Sequence, residues 1–345
     1  MLPRSLPVPR TPDSQTAPRL RWGILGTGWI AEQFVRSLQR HTRQVVQAVG
    51  SRTLPTAQRA ADRWGGATAY GSYAGLVADP RVDVVYIATP HHLHLPNALL
   101  AIEAGKHVLV EKPIGLSADE ARTMHHAART AGVFCMEALW TLCLPKYDVI
   151  RQLLTDGVLG EPTAVLADIG EAFAADHRIL RPDLAGGPLL DLGTYPVMLA
   201  TWVLGDPDIV QAVGTAATTT INGQLAITLH SPNAVAALHT TLQAVTPTTA
   251  VIAGSEATIS IERFFYRTGP FALTGRDGAR LEFDEPAVDH DALHFEAAEV
   301  ARCIADGQTG SPLRPMADTV RTLAVMDRIR EAVGITFDEA IIARR

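Results

Sequence analysis

Three short stretches carry residue types at spacings that point to chemistry: Gly26-Thr27-Gly28-Trp29-Ile30-Ala31, Glu111-Lys112-Pro113 and Asp191-Leu192-Gly193-Thr194-Tyr195. The first has GxGxxA spacing, behind an apolar run and ahead of a helical pattern. Its first glycine permits a tight turn and its second lets backbone approach a pyrophosphate. Ala31 lets the helix pack on the strand while its N-terminus faces the phosphates. Gly26, Thr27, Gly28, Trp29 and Ile30 are therefore expected to cradle a dinucleotide. With a lysine ending a later apolar run and a segment holding Asp191 and Tyr195, the expected chemistry is redox.

Coenzyme choice is read about 20 residues beyond the glycine turn, where NAD enzymes place a carboxylate on the ribose 2′-hydroxyl. Here the chain reads Gly50-Ser51-Arg52-Thr53, with no carboxylate. Ser51 and Arg52 instead fit a 2′-phosphate through charge-assisted hydrogen bonds. NADP is expected, with NAD the alternative. Ligands of open parallel sheets sit beyond the carboxyl ends of the strands. Thr89, Pro90, His92 and His94 follow one strand there, and Glu111 and Lys112 end another, so contacts around the nicotinamide ribose are expected from them. The close histidines His91, His92 and His94 lack i, i+4 helical spacing and a completing Cys or carboxylate, so no metal is expected. Taken alone, Lys112 fits either an ion pair or a catalytic role.

The elements that must position these groups follow from periodicity. From residue 21 to about 140, short apolar runs alternate with helical patterns in a βαβ rhythm. The expected strands are Gly23 to Leu25, Val45 to Val49, Val84 to Ala88, His107 to Val110 and Val133 to Met136, apolar enough for a parallel sheet covered on both faces. Pro96 fits a first helical turn, and Ser117 with Glu120 a capping box. After Pro145 come Val-, Thr-, Ile- and Ala-rich runs of period two, such as Gln224 to His230, Val235 to Leu242 and Thr258 to Glu262. No helix-length pattern separates them, which favours an antiparallel meander. Helices are expected at Leu293 to Ala305 and Met316 to Val333. The fold class is thus α/β: a doubly wound Rossmann domain over 21–142, then an α+β domain over 143–345 with a large open, mostly antiparallel sheet.

Composition bounds the reading. The 345 residues suit two cores of about 150 residues each. With 47% hydrophobic residues, 30 basic against 36 acidic side chains and a net charge of −6, nothing points to nucleic acid or membrane partners. Cys135, Cys143 and Cys303 have no CxxC spacing and read as buried reduced thiols of a cytoplasmic protein. The first twenty residues hold five prolines and no apolar run long enough for a signal peptide, so 1–20 is expected to be a disordered extension. One sheet face needs a cover, and a homodimer or a dimer of dimers through that C-terminal sheet is expected.

Ala104-Gly105-Lys106-His107-Val108-Leu109-Val110-Glu111-Lys112-Pro113 resembles the AGKHVLxEKP signature of the glucose-fructose oxidoreductase, inositol dehydrogenase and MocA (Gfo/Idh/MocA) family. Met136-Glu137-Ala138-Leu139-Trp140-Thr141, Gly186-Gly187-Pro188-Leu189-Leu190-Asp191-Leu192-Gly193-Thr194-Tyr195-Pro196 and Glu296-Ala297-Ala298-Glu299-Val300-Ala301-Arg302 resemble its branch of dimeric dihydrodiol dehydrogenases and NADP-dependent D-xylose dehydrogenases. The resemblance implies hydride exchange between NADP and a CH–OH carbon of a sugar or cyclic diol. It places the family's lysine on Lys112, its aspartate on Asp191 and its acid/base residue on Tyr195. The wider family often has histidine where this branch and this chain have tyrosine. Relatives in the branch often have arginine after the Trp-Thr pair, where this chain has Leu142 and Cys143. Trp140 is expected to form an aromatic wall for substrate, and Arg178 to reach it.

On this assignment Tyr195 takes the hydroxyl proton. Its pKa of about 10 must fall by about 3 units, roughly 4 kcal/mol. A lysine ammonium about 4 Å away supplies that order of energy at an effective dielectric near 20. Asp191 orients either Lys112 or the substrate hydroxyl. Two rivals share the fold: a non-enzymatic NADP sensor, which has no need of Lys112, Asp191 and Tyr195, and a glycosidase using bound nucleotide for transient oxidation.

Overall fold

The computed structural model describes residues 2–216 and 221–337. It divides into two compact units, one of residues 12–143 and 290–320, the other of residues 2–11, 144–289 and 321–337.

The first unit is a Rossmann domain. Its strands are β1 (Arg21–Leu25), β2 (Val45–Gly50), β3 (Thr68–Tyr70), β4 (Val84–Ile87), β5 (His107–Glu111) and β6 (Cys135–Ala138). They form one parallel sheet in the order β3-β2-β1-β4-β5-β6, reversing direction of build at β1/β4. Strands β4 and β6 are buried along their whole length, as expected of a doubly covered sheet. Between the strands lie α1 (Trp29–His41), α2 (Leu54–Arg63), α3 (Tyr73–Val77), α4 (His94–Glu103) and α5 (Ala118–Ala131). The Ser117 hydroxyl caps α5 by accepting from the Glu120 N–H, and the Glu120 carboxylate accepts from the Leu116 N–H. Strand β3 was not foreseen: three half-buried residues carry too little apolar pattern to register.

In the second unit, α6 (Pro145–Thr155) precedes β7 (Pro162–Gly170), and α7 (Thr194–Leu204) packs on that strand. Seven more strands follow: β8 (Ile209–Ala216), β9 (Asn222–Ser231), β10 (Ala234–Thr241), β11 (Ala250–Gly254), β12 (Ala257–Ile261), β13 (Phe271–Gly275) and β14 (Arg280–Phe283). The sheet runs β14-β13-β12-β11-β7-β10-β9-β8 and is antiparallel except where β10 lies parallel to β7. Period-two alternation is plain in β9 and β12. The register puts Leu166, Ile209, Val213 and Val235, all exposed, on one face. No helix among the described residues is long and apolar enough to cross a membrane.

Two features differ from the sequence reading. Residues 290–320 group with the Rossmann unit, because α8 (His294–Ala305) packs on α1 and buries Ala298 and Ala301 with Ala17. α9 (Met316–Ala332) closes the helical set. Residues 2–20, expected to be disordered, are instead fastened along their length: Arg10 makes a bidentate pair with Asp148, Val8 accepts from Gln152, and Ser14 is buried against His294. Prolines that exclude helix or strand still allow an extended strap held by side chains.

The packing of His294 has a pH consequence. Burial, then the neighbouring His41, hold the His294 imidazole down at about 4 against an ordinary 6.5. The unfolded chain therefore binds a proton that the folded chain refuses. Stability from this group is fully present above 6.5 and lost as pH falls from 6.5 towards 4. The urea midpoint is expected to drop across that window in the wild type and to flatten in His294→Gln; superimposed profiles would contradict the assignment.

Candidate active site

On the Rossmann unit the site residues gather at the carboxyl edge of the sheet. Gly26 follows β1 with φ of +100°, and a Cβ there would stand 2.5 Å from the Ala88 carbonyl oxygen, so only glycine fits. A Cβ on Gly28 meets nothing within 4 Å. Gly28 begins α1 without any side-chain cap, leaving first-turn N–H groups for an anion. Trp29 beside them is 63% exposed. Ser51 is buried at the end of β2 and Arg52 is exposed next to it. These features fit a dinucleotide with a 2′-phosphate: an open cradle at the turn, a cation at the ribose end, and no carboxylate there.

Thr89 is buried and its hydroxyl accepts from Asn97 at 3.1 Å. His94 differs from expectation. Its Nδ1 lies 2.8 Å from the Pro113 carbonyl and its Nε2 2.8 Å from the Thr89 carbonyl. The ring thus sits between the turn after β4 and the turn after β5, and whichever nitrogen carries the proton donates to the carbonyl it faces, a structural task that the sequence did not suggest. Pro90 is half-buried, and His92 is buried in the short turn before α4. The Glu111 carboxylate accepts from the Tyr86 hydroxyl and from the Lys112 N–H at 3.1 Å, which spends it on fixing the lysine's backbone. Lys112 itself is half-buried, ahead of a cis peptide to Pro113. Behind them sits Glu296, fully buried; desolvation, then the charge of Glu111, push its carboxyl well above the usual range. Trp140 is 2% exposed and stacks on His290 at 5.4 Å, and His290 meets Trp29 edge-on at 4.7 Å.

On the second unit, Asp191 lies in a π-helical turn, Leu189–Gly193, that runs directly into α7, whose first turn carries Tyr195. π-turns recur at functional sites. Both residues are 5% exposed. Arg178 donates from Nη1 and Nη2 to the two Asp191 oxygens, each at 2.9 Å. The Tyr195 ring stacks on Tyr266 at 4.3 Å and 25°. The Tyr266 hydroxyl accepts from Arg267 at 2.6 Å and donates to Glu171 at 3.1 Å. Phe264 and Thr248, at φ of 44° and 62°, hold the loop before Tyr266 in left-handed backbone, joined by the Phe265 N–H to the Thr248 carbonyl. Burial raises the Tyr266 phenol above its ordinary value. Tyr266 and His290 carry no local sequence signal; each acquires its place through contacts distant along the chain. Among the described residues, no group of three or more His, Cys, Asp and Glu could hold a metal ion.

Residues 20–139 match a family described as an oxidoreductase family with an NAD-binding Rossmann fold, and residues 147–260 match the GFO/IDH/MocA C-terminal domain. The chain is 35% identical to trans-1,2-dihydrobenzene-1,2-diol dehydrogenase of Mus musculus over 333 residues, 93% of this chain and 98% of that one. It is 33% identical to D-xylose 1-dehydrogenase (NADP(+)) of Hypocrea jecorina, covering 93% and 94%. A 3-ketoreductase from Actinomadura kijaniata, solved with NADP and TDP-benzene, superposes with a TM-score of 0.80 at 26% identity over 91% of this chain and 98% of that one.

Proposed function

The chain belongs to the Gfo/Idh/MocA oxidoreductase family, and from that premise we propose that it is an NADP-dependent dehydrogenase acting on a CH–OH carbon of an aldopyranose or a cyclic dihydrodiol. The observation that carries the reading is the order β1-β4-β5. It brings the glycine turn and Lys112 to one sheet edge about two strand spacings, roughly 10 Å, apart. That suits a lysine serving the nicotinamide end of a nucleotide whose pyrophosphate lies on α1.

Gly26, Thr27, Gly28, Trp29 and Ile30 would hold the pyrophosphate, and Ser51 and Arg52 the 2′-phosphate. Bound NADP supplies the hydride acceptor. Tyr195 removes the hydroxyl proton in oxidation and returns it in reduction. Lys112 favours the phenolate by its charge, and Asp191 orients either Lys112 or the substrate hydroxyl. Trp140, expected as a substrate wall, is instead covered, 2% exposed with its ring stacked on His290, and is assigned no substrate contact. The relatives' names support this class of substrate: a dihydrodiol for one, D-xylose for another. The exposed apolar face with Leu166, Ile209, Val213 and Val235 supports a homodimer or a dimer of dimers. Three buried thiols support a cytoplasmic setting.

A panel of sugars, inositols and cyclic diols, each with NADP and with NAD, tests the reading. Reduced cofactor is expected with an aldopyranose or dihydrodiol and preferentially with NADP; no reduction with any member would overturn it. Arg52→Asp is expected to lower kcat/KM with NADP about tenfold to a hundredfold while sparing NAD, the size of one lost charge-assisted bond. An unchanged coenzyme ratio would show that the phosphate is held elsewhere.

A further inference from the structure

The segment between β7 and the π-turn, residues 171–188, touches the proposed acid/base machinery at two separate points. At its start, Glu171 accepts from the Tyr266 hydroxyl, and the Tyr266 ring lies face to face with Tyr195. In its middle, Arg178 grips both oxygens of Asp191. The segment is also closed on itself. The His177 Nδ1 accepts from the Ile179 N–H at 3.3 Å, and Phe173 stacks on His177 at 4.6 Å. The Gly187 N–H donates to the Ile179 carbonyl at 2.7 Å. Gly186 passes so near that carbonyl that a Cβ would stand 2.5 Å from its oxygen.

An exposed ion pair usually contributes little. The Arg178 pair is of another kind, because its carboxylate side chain is 7% exposed and both oxygens are engaged, while the arginine reaches in at 46% exposure. With the carboxylate held in this way, the loop sets where Asp191 points. Through Glu171 and Tyr266 the same loop sets the plane of the Tyr195 ring.

We infer that the 171–188 loop is the positioning element of the reaction, with Arg178 aligning Asp191 and Glu171 aligning Tyr195 through Tyr266, so that substrate seated against this loop meets both groups already in place. Arg178 is then a positioning residue whose guanidinium acts on Asp191. The inference rests on the acid/base roles given above to Asp191 and Tyr195.

The test uses the full chain and its best substrate from the panel. Arg178→Ala is expected to lower kcat about tenfold to a hundredfold with the KM for NADP unchanged, the cost of a misplaced reacting group. Guanidinium chloride at low millimolar concentration should restore much of that loss, and sodium chloride at equal ionic strength should not, because the half-exposed site admits the free cation. Arg178→Lys, with one point charge in place of a fork, should fall between. Tyr266→Phe keeps the stack and loses the Glu171 link, and it should lower kcat by less than Arg178→Ala does. Wild-type kcat in Arg178→Ala overturns the inference, as does a loss that guanidinium leaves untouched. Should Arg178→Ala fail to fold, an Arg178→Lys enzyme with wild-type kcat overturns it equally. Tyr195→Phe assayed in parallel separates the two claims. If that variant turns over normally, the acid/base assignment itself has failed; if it is inactive while Arg178→Ala is normal, the loop inference alone has failed.

Discussion

Tyr195→Phe is expected to lower kcat about a thousandfold, with NADP affinity unchanged. The substitution removes one oxygen and keeps the ring, so the stack on Tyr266 at 4.3 Å persists. On the proposed role what is lost is the proton acceptor, and a positioned acid/base group contributes about 10² to 10⁴ in rate. Stopped-flow measurement of nicotinamide reduction checks it, with fluorescence titration for NADP binding. A fall in kcat of less than about fivefold would move the proton transfer to another group.

The second large effect is expected from Lys112→Ala. The charge proposed for Lys112 has to favour the phenolate by roughly 4 kcal/mol, so its removal should lower kcat/KM about 10² to 10³-fold at neutral pH. Lys112 is fixed through its backbone, whose N–H is held by the Glu111 carboxylate, so truncating the side chain leaves that anchor intact. Two residues serving one proton transfer are strongly non-additive. The double variant should therefore be hardly slower than Tyr195→Phe alone. Multiplicative losses would mean that the two residues act in separate steps.

Where several candidate residues lie on the fold was legible because their signals are local. The glycine turn, the strand ends at Ser51 and Lys112 and the Ser117 cap each depend on neighbours a few residues away, where residue type dictates conformation. The Rossmann strands were legible for the same reason, since a doubly buried strand is apolar throughout. Periodicity reports that a residue is buried but not what it faces. The clasp of His94 between two carbonyls, the stack of Tyr266 on Tyr195 and the approach of Glu296 to Glu111 join residues far apart in the chain. The parallel pairing of β10 with β7 escaped a reading of alternation, because alternation is the same in either direction. The order of the N-terminal strap escaped for a different reason: its hold comes from Asp148, Gln152 and His294, none of them visible in its own composition.

The proposed reaction needs a phenol at Tyr195 made basic by the charge of Lys112, and the pH dependence of single-turnover hydride transfer tests this directly. In the wild type the rate should rise with pH along a limb near neutrality; in Lys112→Met that limb should lie about 3 pH units higher, and in Tyr195→Phe it should vanish. The same limb at the same pH in all three proteins would contradict it.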